Sequence, residues 1–280
     1  MKKNVIFLSL FFYVFLSYSF CESEKKVCVK AKPKQALEYK VQIKEPQIKN
    51  LTMIGKVGRF GIEGTTKTEK LYGCILRALR FQNITEKIEQ KYGLPENFLL
   101  AMVIQETGGA DLLLNGRDDG GAGICHMQGS TATEFGLSTY KGCKKLRCKA
   151  HGLEMRSLID KYKYDRKKLI KYDDRFHPIY NLDAAARMLS CYKTPKVNGF
   201  TANWSSAIYR YAGKYNYSKY WKNILGYSKK LNDPSVINAV KKEFNKRNPN
   251  LIINGKKGNF DAYIKAHQEQ NINYGLNEYK

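Results

Sequence analysis

The chain has 280 residues, with 49 lysines and arginines against 25 acids and a formal net charge of +24. That length carries one substantial domain with extensions. The basic excess runs through the whole chain, which suits a polyanionic partner; behind an export signal that partner is an envelope polymer, and nucleic acid is not expected.

Residues 1–21 begin with Lys2 and Lys3 and continue into "VIFLSLFFYVFLSYSF", a charged start followed by an apolar stretch. This reads as a cleaved export signal, placing the protein in the periplasm or cell envelope; an uncleaved anchor is the alternative. Cys21 raises lipid attachment, but Phe20 stands where a small residue is wanted before the cysteine. Residues 22–65, with "KKVCVKAKPKQ" and "GKVGRFGIEG", form a basic N-terminal extension of weak periodicity.

Cys28, Cys74, Cys125, Cys143, Cys148 and Cys191 are an even set in an exported chain, so disulfides are expected, with the pairing open. "CKKLRCKAH" offers Cys143, Cys148 and His151 to a metal, yet the second close pair of a tetrahedral zinc site is missing. No metal and no cofactor is expected. The pattern specifies no oligomeric state.

From Thr68 the pattern turns helical, and no strand-period segment of any length competes, so the class is mainly α. Leu71, Ile75 and Leu79, and later Ile84 and Ile88, recur at four-residue spacings up to a stop at Gly93. Pro95 is expected at the first position of the next helix, which runs apolar on all sides from Phe98 to Ile104 and therefore belongs in a core. "STATEFG" predicts a short helix with Thr131 and Glu134 as a capping box. "NLDAAARMLSCY", "ANWSSAIYRYAG" and "SKYWKNILGYSKKL" predict three packing helices. Residues 232–280 read as a terminal helix and a loosely attached polar tail.

Glu106 interrupts this apolar pattern. It shares a helical face with Val103, Met102 and Leu99, a setting that disfavours the ionised form and suits a proton donor. A glutamate turned to solvent or paired with an arginine is the plainer reading. Gly108 and Gly109 then stop the helix, and Gly120, Gly121 and Gly123 let the returning loop approach closely, as a cleft wall requires.

"GLPENFLLAMVIQETGG" resembles the "GLPxxLLxAxxxxES" segment of the soluble lytic transglycosylase domain of the lysozyme-like superfamily. "GICHMQGSTATEFGL" is similar, without gaps, to its "GLMQxMPxTAxxxGL"; "NLDAAARMLSCY" to its "NIxxGxxYLxxL"; and "AIYRYAG...NYSKYWKNIL" to its "ALxAYNAG...ETxxYVxxVL". The four blocks keep their order over roughly residues 90 to 228. The resemblance implies a lysozyme-like helical domain over residues 66–231 that cleaves the bond between N-acetylmuramic acid and N-acetylglucosamine in peptidoglycan. It implies Glu106 as the catalytic acid and, as substrate-binding residues, Tyr211, His126, Gln128, Thr107 and Asp119. In this register His126 replaces a glutamine, Gln128 and Cys125 replace methionines, Ala185 replaces a glycine, and Ala212 stands where asparagine is usual. Asp118 and Asp119 are also candidates for directing water in a hydrolytic muramidase of goose-type lysozyme character, or merely cap a loop turn. A wall-binding protein without activity is the remaining alternative.

Overall fold

The computed structural model describes residues 67–110, 119–143, 145–163, 165–193, 203–212 and 217–276. The expected export signal, the basic extension and Asp118 lie outside them. The described chain is mainly α-helical. Among the described residues no helix is long and apolar enough to cross a membrane.

The helix expected across Leu71 to Tyr92 is two helices, α1 (Lys67–Leu79) and α2 (Gln82–Tyr92). Between them Phe81 turns its ring into the core, and Ile75, Ala78, Ile84 and Ile88 on the flanking turns are buried as well. The Arg80 carbonyl released by the break accepts a hydrogen bond from Asn271 Nδ2 at 2.8 Å. Gly93 closes α2 in the left-handed conformation at φ 62°.

Helix α3 (Phe98–Thr107) is the axis of the core, fully buried from Phe98 to Ile104 as its all-round apolar pattern requires. It starts later than expected: Pro95 lies in the turn ahead of the helix and its carbonyl accepts from Phe98 N. The Glu89 carboxylate of α2 caps the helix instead, accepting from Leu99 N at 2.6 Å and Asn97 N at 3.0 Å. Burial pushes Glu89 up to about 7 despite those hydrogen bonds, which favour the charged form.

After the glycine-rich loop come α4 (Gly129–Glu134), α5 (Lys149–Lys161) and the short α6 (Arg166–Leu169). Thr131 does not open α4; the helix begins at Gly129 with Gln128 at the cap position, so the expected capping box is not formed. A Cβ at residue 129 would stand 3.0 Å from His151 Nε2 and 3.3 Å from Cys143 Cβ, which explains a glycine there. A 3₁₀ turn (Asp174–Phe176) leads into α7 (Pro178–Tyr192), followed by α8 (Trp204–Ala212) and α9 (Tyr217–Leu231), the three packing helices expected. α9 lies along α3, and α7 packs on α2 and α8. Trp204 and Trp221 both pack on Phe98, with ring centroids 5.9 Å away in each case.

The C-terminal region departs from expectation. Helix α10 (Pro234–Arg247), a hairpin of β1 (Ile252–Ile253) and β2 (Lys256–Lys257), and α11 (Phe260–Asn273) are part of the same core. Val240, Phe244, Phe260, Tyr263 and Ala266 are buried there, and α10 rests on α1. Lysine and asparagine dominate the composition of this region, but its few apolar residues keep helical spacing, and spacing decides which face is buried.

Candidate active site

Glu106 sits on the last turn of α3, one to two turns beyond the fully buried Leu99, Met102 and Val103 on the same face. Its side chain is 12% exposed, so it ends at the rim of the core. The two glycines behind it have separate tasks. Gly108 takes φ 60° and closes the helix through its N–H to the Ile104 carbonyl at 3.0 Å. Gly109 takes φ 80°, and a Cβ there would lie 2.6 Å from Ala78 N, so only glycine fits against α1. Arg77 of α1 donates through Nε to Gly108 O at 2.8 Å, and Arg80, in the turn after α1, donates to Gly109 O at 3.0 Å. The carbonyls left open at the helix end are thereby satisfied by buried guanidinium groups.

The opposite wall is the loop from Asp119 to Gln128. Ala122 and Met127 pair through two backbone hydrogen bonds of 3.0 Å, and His126 between them takes φ 49°. Gly121 makes room for the His126 ring, since a Cβ there would stand 2.5 Å from Nε2. The loop hangs on buried polar anchors. Arg175 donates to Gly120 O at 2.7 Å and Met127 O at 3.1 Å, and pairs with Asp173 at 2.8 Å with both side chains wholly buried. Asn181 on α7 accepts from Cys125 N at 2.8 Å.

Between the walls lies a cavity of about 920 Å³, lined by Glu106, Asp119, His126, Gln128, Tyr211 and Tyr220 among others. The Tyr220 hydroxyl donates to Glu106 Oε1 at 2.5 Å, while Glu106 Oε2 lies 3.8 Å from His126 Nδ1. His126 Nε2 is 3.5 Å from Asp119 Oδ1, so the imidazole stands between the two carboxylates. Burial, with the Glu106 charge beside them, pushes the hydroxyls of Tyr220 and Tyr211 well above their ordinary range, and both remain donors at neutral pH. Burial works to raise Asp119 too, but the His126 contact, the Gly121 N–H and Gln128 hold it well below the usual carboxylate range. Arg147, Arg210 and Lys219 line the same cavity and favour an anionic ligand.

The expected site residues separate into two groups. Glu106, His126, Asp119, Gln128 and Tyr211 meet in the cavity. Tyr211 does not bond the acid; its hydroxyl donates to the Cys125 carbonyl at 2.7 Å and so steadies the loop. Gln128 also has a framework contact, its amide oxygen accepting from Arg147 N at 3.1 Å. Thr107 does not face the cavity. It is fully buried, and its hydroxyl lies 3.1 Å from Val103 O and 2.9 Å from Ile124 O, joining the end of α3 to the loop.

Tyr220 is a cavity residue whose contact with Glu106 sequence reasoning did not foresee, although it stands at the tyrosine of the "ETxxYVxxVL" block. Asn223, one turn later on α9, donates to Gln105 Oε1 at 3.0 Å and fixes α9 beside the acid. Arg175 was also passed over: a charged residue next to a helix start gives no sign that it will be wholly buried.

His151, weighed above as a metal ligand, receives the Arg175 guanidinium on Nε2 at 2.8 Å; a guanidinium only donates, so this nitrogen is an acceptor engaged within the protein. Among the described residues no group of His, Cys, Asp and Glu is arranged to hold a metal ion. No protein-family profile, curated protein or solved structure matches the chain.

Proposed function

We propose that the protein is a peptidoglycan lytic transglycosylase of lysozyme-like fold, acting in the periplasm or cell envelope. The observation that carries this reading is the setting of Glu106: one carboxyl group at the end of a buried helix, held by a tyrosine hydroxyl and opening on a cavity of about 920 Å³ with a cationic lining. The four blocks of the sequence resemblance support it, since three of them supply the cavity residues Glu106, His126, Tyr211 and Tyr220.

In this mechanism Glu106 first donates its proton to the glycosidic oxygen between N-acetylmuramic acid and N-acetylglucosamine. The bond from that oxygen to C1 of muramic acid breaks, and positive charge develops at C1. The resulting Glu106 carboxylate takes the proton of the muramic C6 hydroxyl, whose oxygen closes on C1 to give a 1,6-anhydro end. The Tyr220 hydroxyl stabilises the carboxylate between the two steps and holds its orientation. The substrate supplies the nucleophile, so one carboxyl group suffices.

Asp119 favours a second reading. It is an ionised carboxylate in the same cavity, and a hydrolytic muramidase uses such a group to activate water. Mass spectrometry of purified peptidoglycan digested by the protein decides between them. Anhydro-muramic ends support the transglycosylase, reducing muramic ends the muramidase, and an undigested wall overturns both.

A further inference from the structure

Cys143 and Cys148 bracket the loop that supplies Leu146 and Arg147 to the cavity lining. Both are free thiols, Cys143 buried and Cys148 half-buried. Each thiol perturbs the titration of the other, both flank the His151 ring, and Cys143 Sγ reaches the Lys145 carbonyl at 3.4 Å. Their surroundings are tightly packed: Gly129 abuts Cys143 Cβ and the His151 ring, and Gly120 abuts the Cys148 carbonyl and the same ring. Arg147, next to Cys148, takes the left-handed conformation at φ 52°.

We propose that Cys143 and Cys148 are a disulfide site whose closure locks the Leu146–Arg147 wall of the cleft. Cys148 occupies the cap position of α5. The amide of His151 at the head of that helix, then the Cys143 thiol, lower the Cys148 thiol below its ordinary value, whereas burial raises that of Cys143. Cys148 is therefore the attacking thiolate and Cys143 the resolving thiol. With a small-molecule disulfide such as glutathione disulfide as oxidant, the Cys148 thiolate attacks one of its sulfurs, forms a mixed disulfide and expels one glutathione thiolate. Cys143 then loses its proton, attacks Cys148 Sγ and expels the second glutathione. Two thiols are oxidised and one disulfide is reduced, so the electrons balance. Arg147 N already donates to Gln128 Oε1, and the closed disulfide holds that contact in place.

The test uses the folded full chain equilibrated with glutathione disulfide or with reduced glutathione, followed by alkylation of remaining thiols. Trypsin cuts after Lys144, Lys145 and Arg147, so the peptides carrying Cys143 and Cys148 separate unless a disulfide joins them. The expected result is a joined pair in the oxidised sample and two alkylated cysteines in the reduced one. Alkylation of both after oxidation, or linkage of either to another cysteine, overturns the site. Limited trypsin on the native protein reads the wall directly: cleavage after Arg147 slows several-fold on oxidation, and an unchanged rate overturns the locking role.

The effect on substrate rests on the transglycosylase reading. There, oxidation lowers KM about two- to tenfold with kcat unchanged, the gain expected from pre-ordering one or two side chains. A joined pair that slows trypsin in a protein without glycan cleavage leaves the disulfide standing and removes the activity.

Discussion

The wall that carries Glu106 is a helix whose residues from Phe98 to Ile104 are at most 2% exposed, while the wall that carries Asp119 and His126 is a loop suspended from the buried pair Arg175–Asp173. Apolar packing around α3 is spread over many small contacts, and loss of one polar tip at its end leaves the rest intact. The loop has few anchors, and one guanidinium serves Gly120 O, Met127 O, His151 and Asp173 together. Removing that group leaves the buried Asp173 carboxylate without its counter-charge and the Gly120 carbonyl without its guanidinium donor. On the proposed function, chemistry and stability fall to different walls, and substitutions should separate them.

The largest effect is expected at the acid. Glu106→Gln keeps the shape but cannot donate and then accept a proton, so glycan cleavage should fall about 10²- to 10⁴-fold with thermal melting close to wild type. Cleavage near the wild-type rate in the digest assay would remove Glu106 from the mechanism. On the other wall the order reverses. Arg175→Met should cost about 3–5 kcal/mol of stability, the usual penalty for leaving one partner of a buried pair uncompensated, as read by denaturant unfolding. A mutant that melts like wild type would show that the loop holds itself.

Glu89 is the pH-sensitive point of the helical wall. Its folded value is raised to about 7 against an ordinary 4.5, so between those values the unfolded chain binds fewer protons than the folded one. Its contribution to stability is present below about pH 4.5 and is lost as pH rises through 7, by about 3 kcal/mol for a shift of this size. Wild type should lose stability relative to Glu89→Gln from pH 4.5 to 7.5. A constant difference between their melting temperatures would contradict this. Tyr220→Phe removes one charge-assisted hydrogen bond, worth about 1.5–3 kcal/mol, and should lower kcat about 10- to 100-fold with the fold unchanged.

The helical wall was legible in the sequence because burial on all sides leaves an apolar run between turn signals, and Glu106 stands just past its end on the same helical face. The loop wall was only half legible. Glycines at 120, 121 and 123 announced a close approach, but what they approach, the Arg175 carbonyl for Gly123 and the His126 ring for Gly121, is a tertiary fact. Thr107 was misplaced since sequence adjacency to Glu106 says nothing of direction: one step along a helix turns a side chain by about 100°. A terminal helix was expected after residue 231, but α11 and the packing of both helices into the core were not, because composition was weighed above spacing; Tyr263 and Phe260 are buried among exposed lysines.

The smallest expected effect separates the two mechanisms. Asp119 is the carboxylate that a hydrolase would need, yet its oxygen is engaged: Oδ1 lies 3.5 Å from His126 Nε2 and accepts from Gly121 N at 3.1 Å. A carboxylate so placed orients the imidazole and steadies the turn. In a transglycosylase the muramic C6 hydroxyl is the nucleophile and water has no role, so Asp119→Asn, which retains an acceptor for Gly121 N, should lower the cleavage rate less than about tenfold, the scale of one hydrogen bond. The products should remain anhydro-muramic ends. In a muramidase the same substitution removes the base that activates water, a loss of about 10²-fold or more, and wild-type products carry reducing ends. Since Asp119 also supports the loop, the melting temperature must accompany the rate. A folded but inactive Asp119→Asn protein, beside a wild-type digest free of anhydro species, would assign the cleft to hydrolysis.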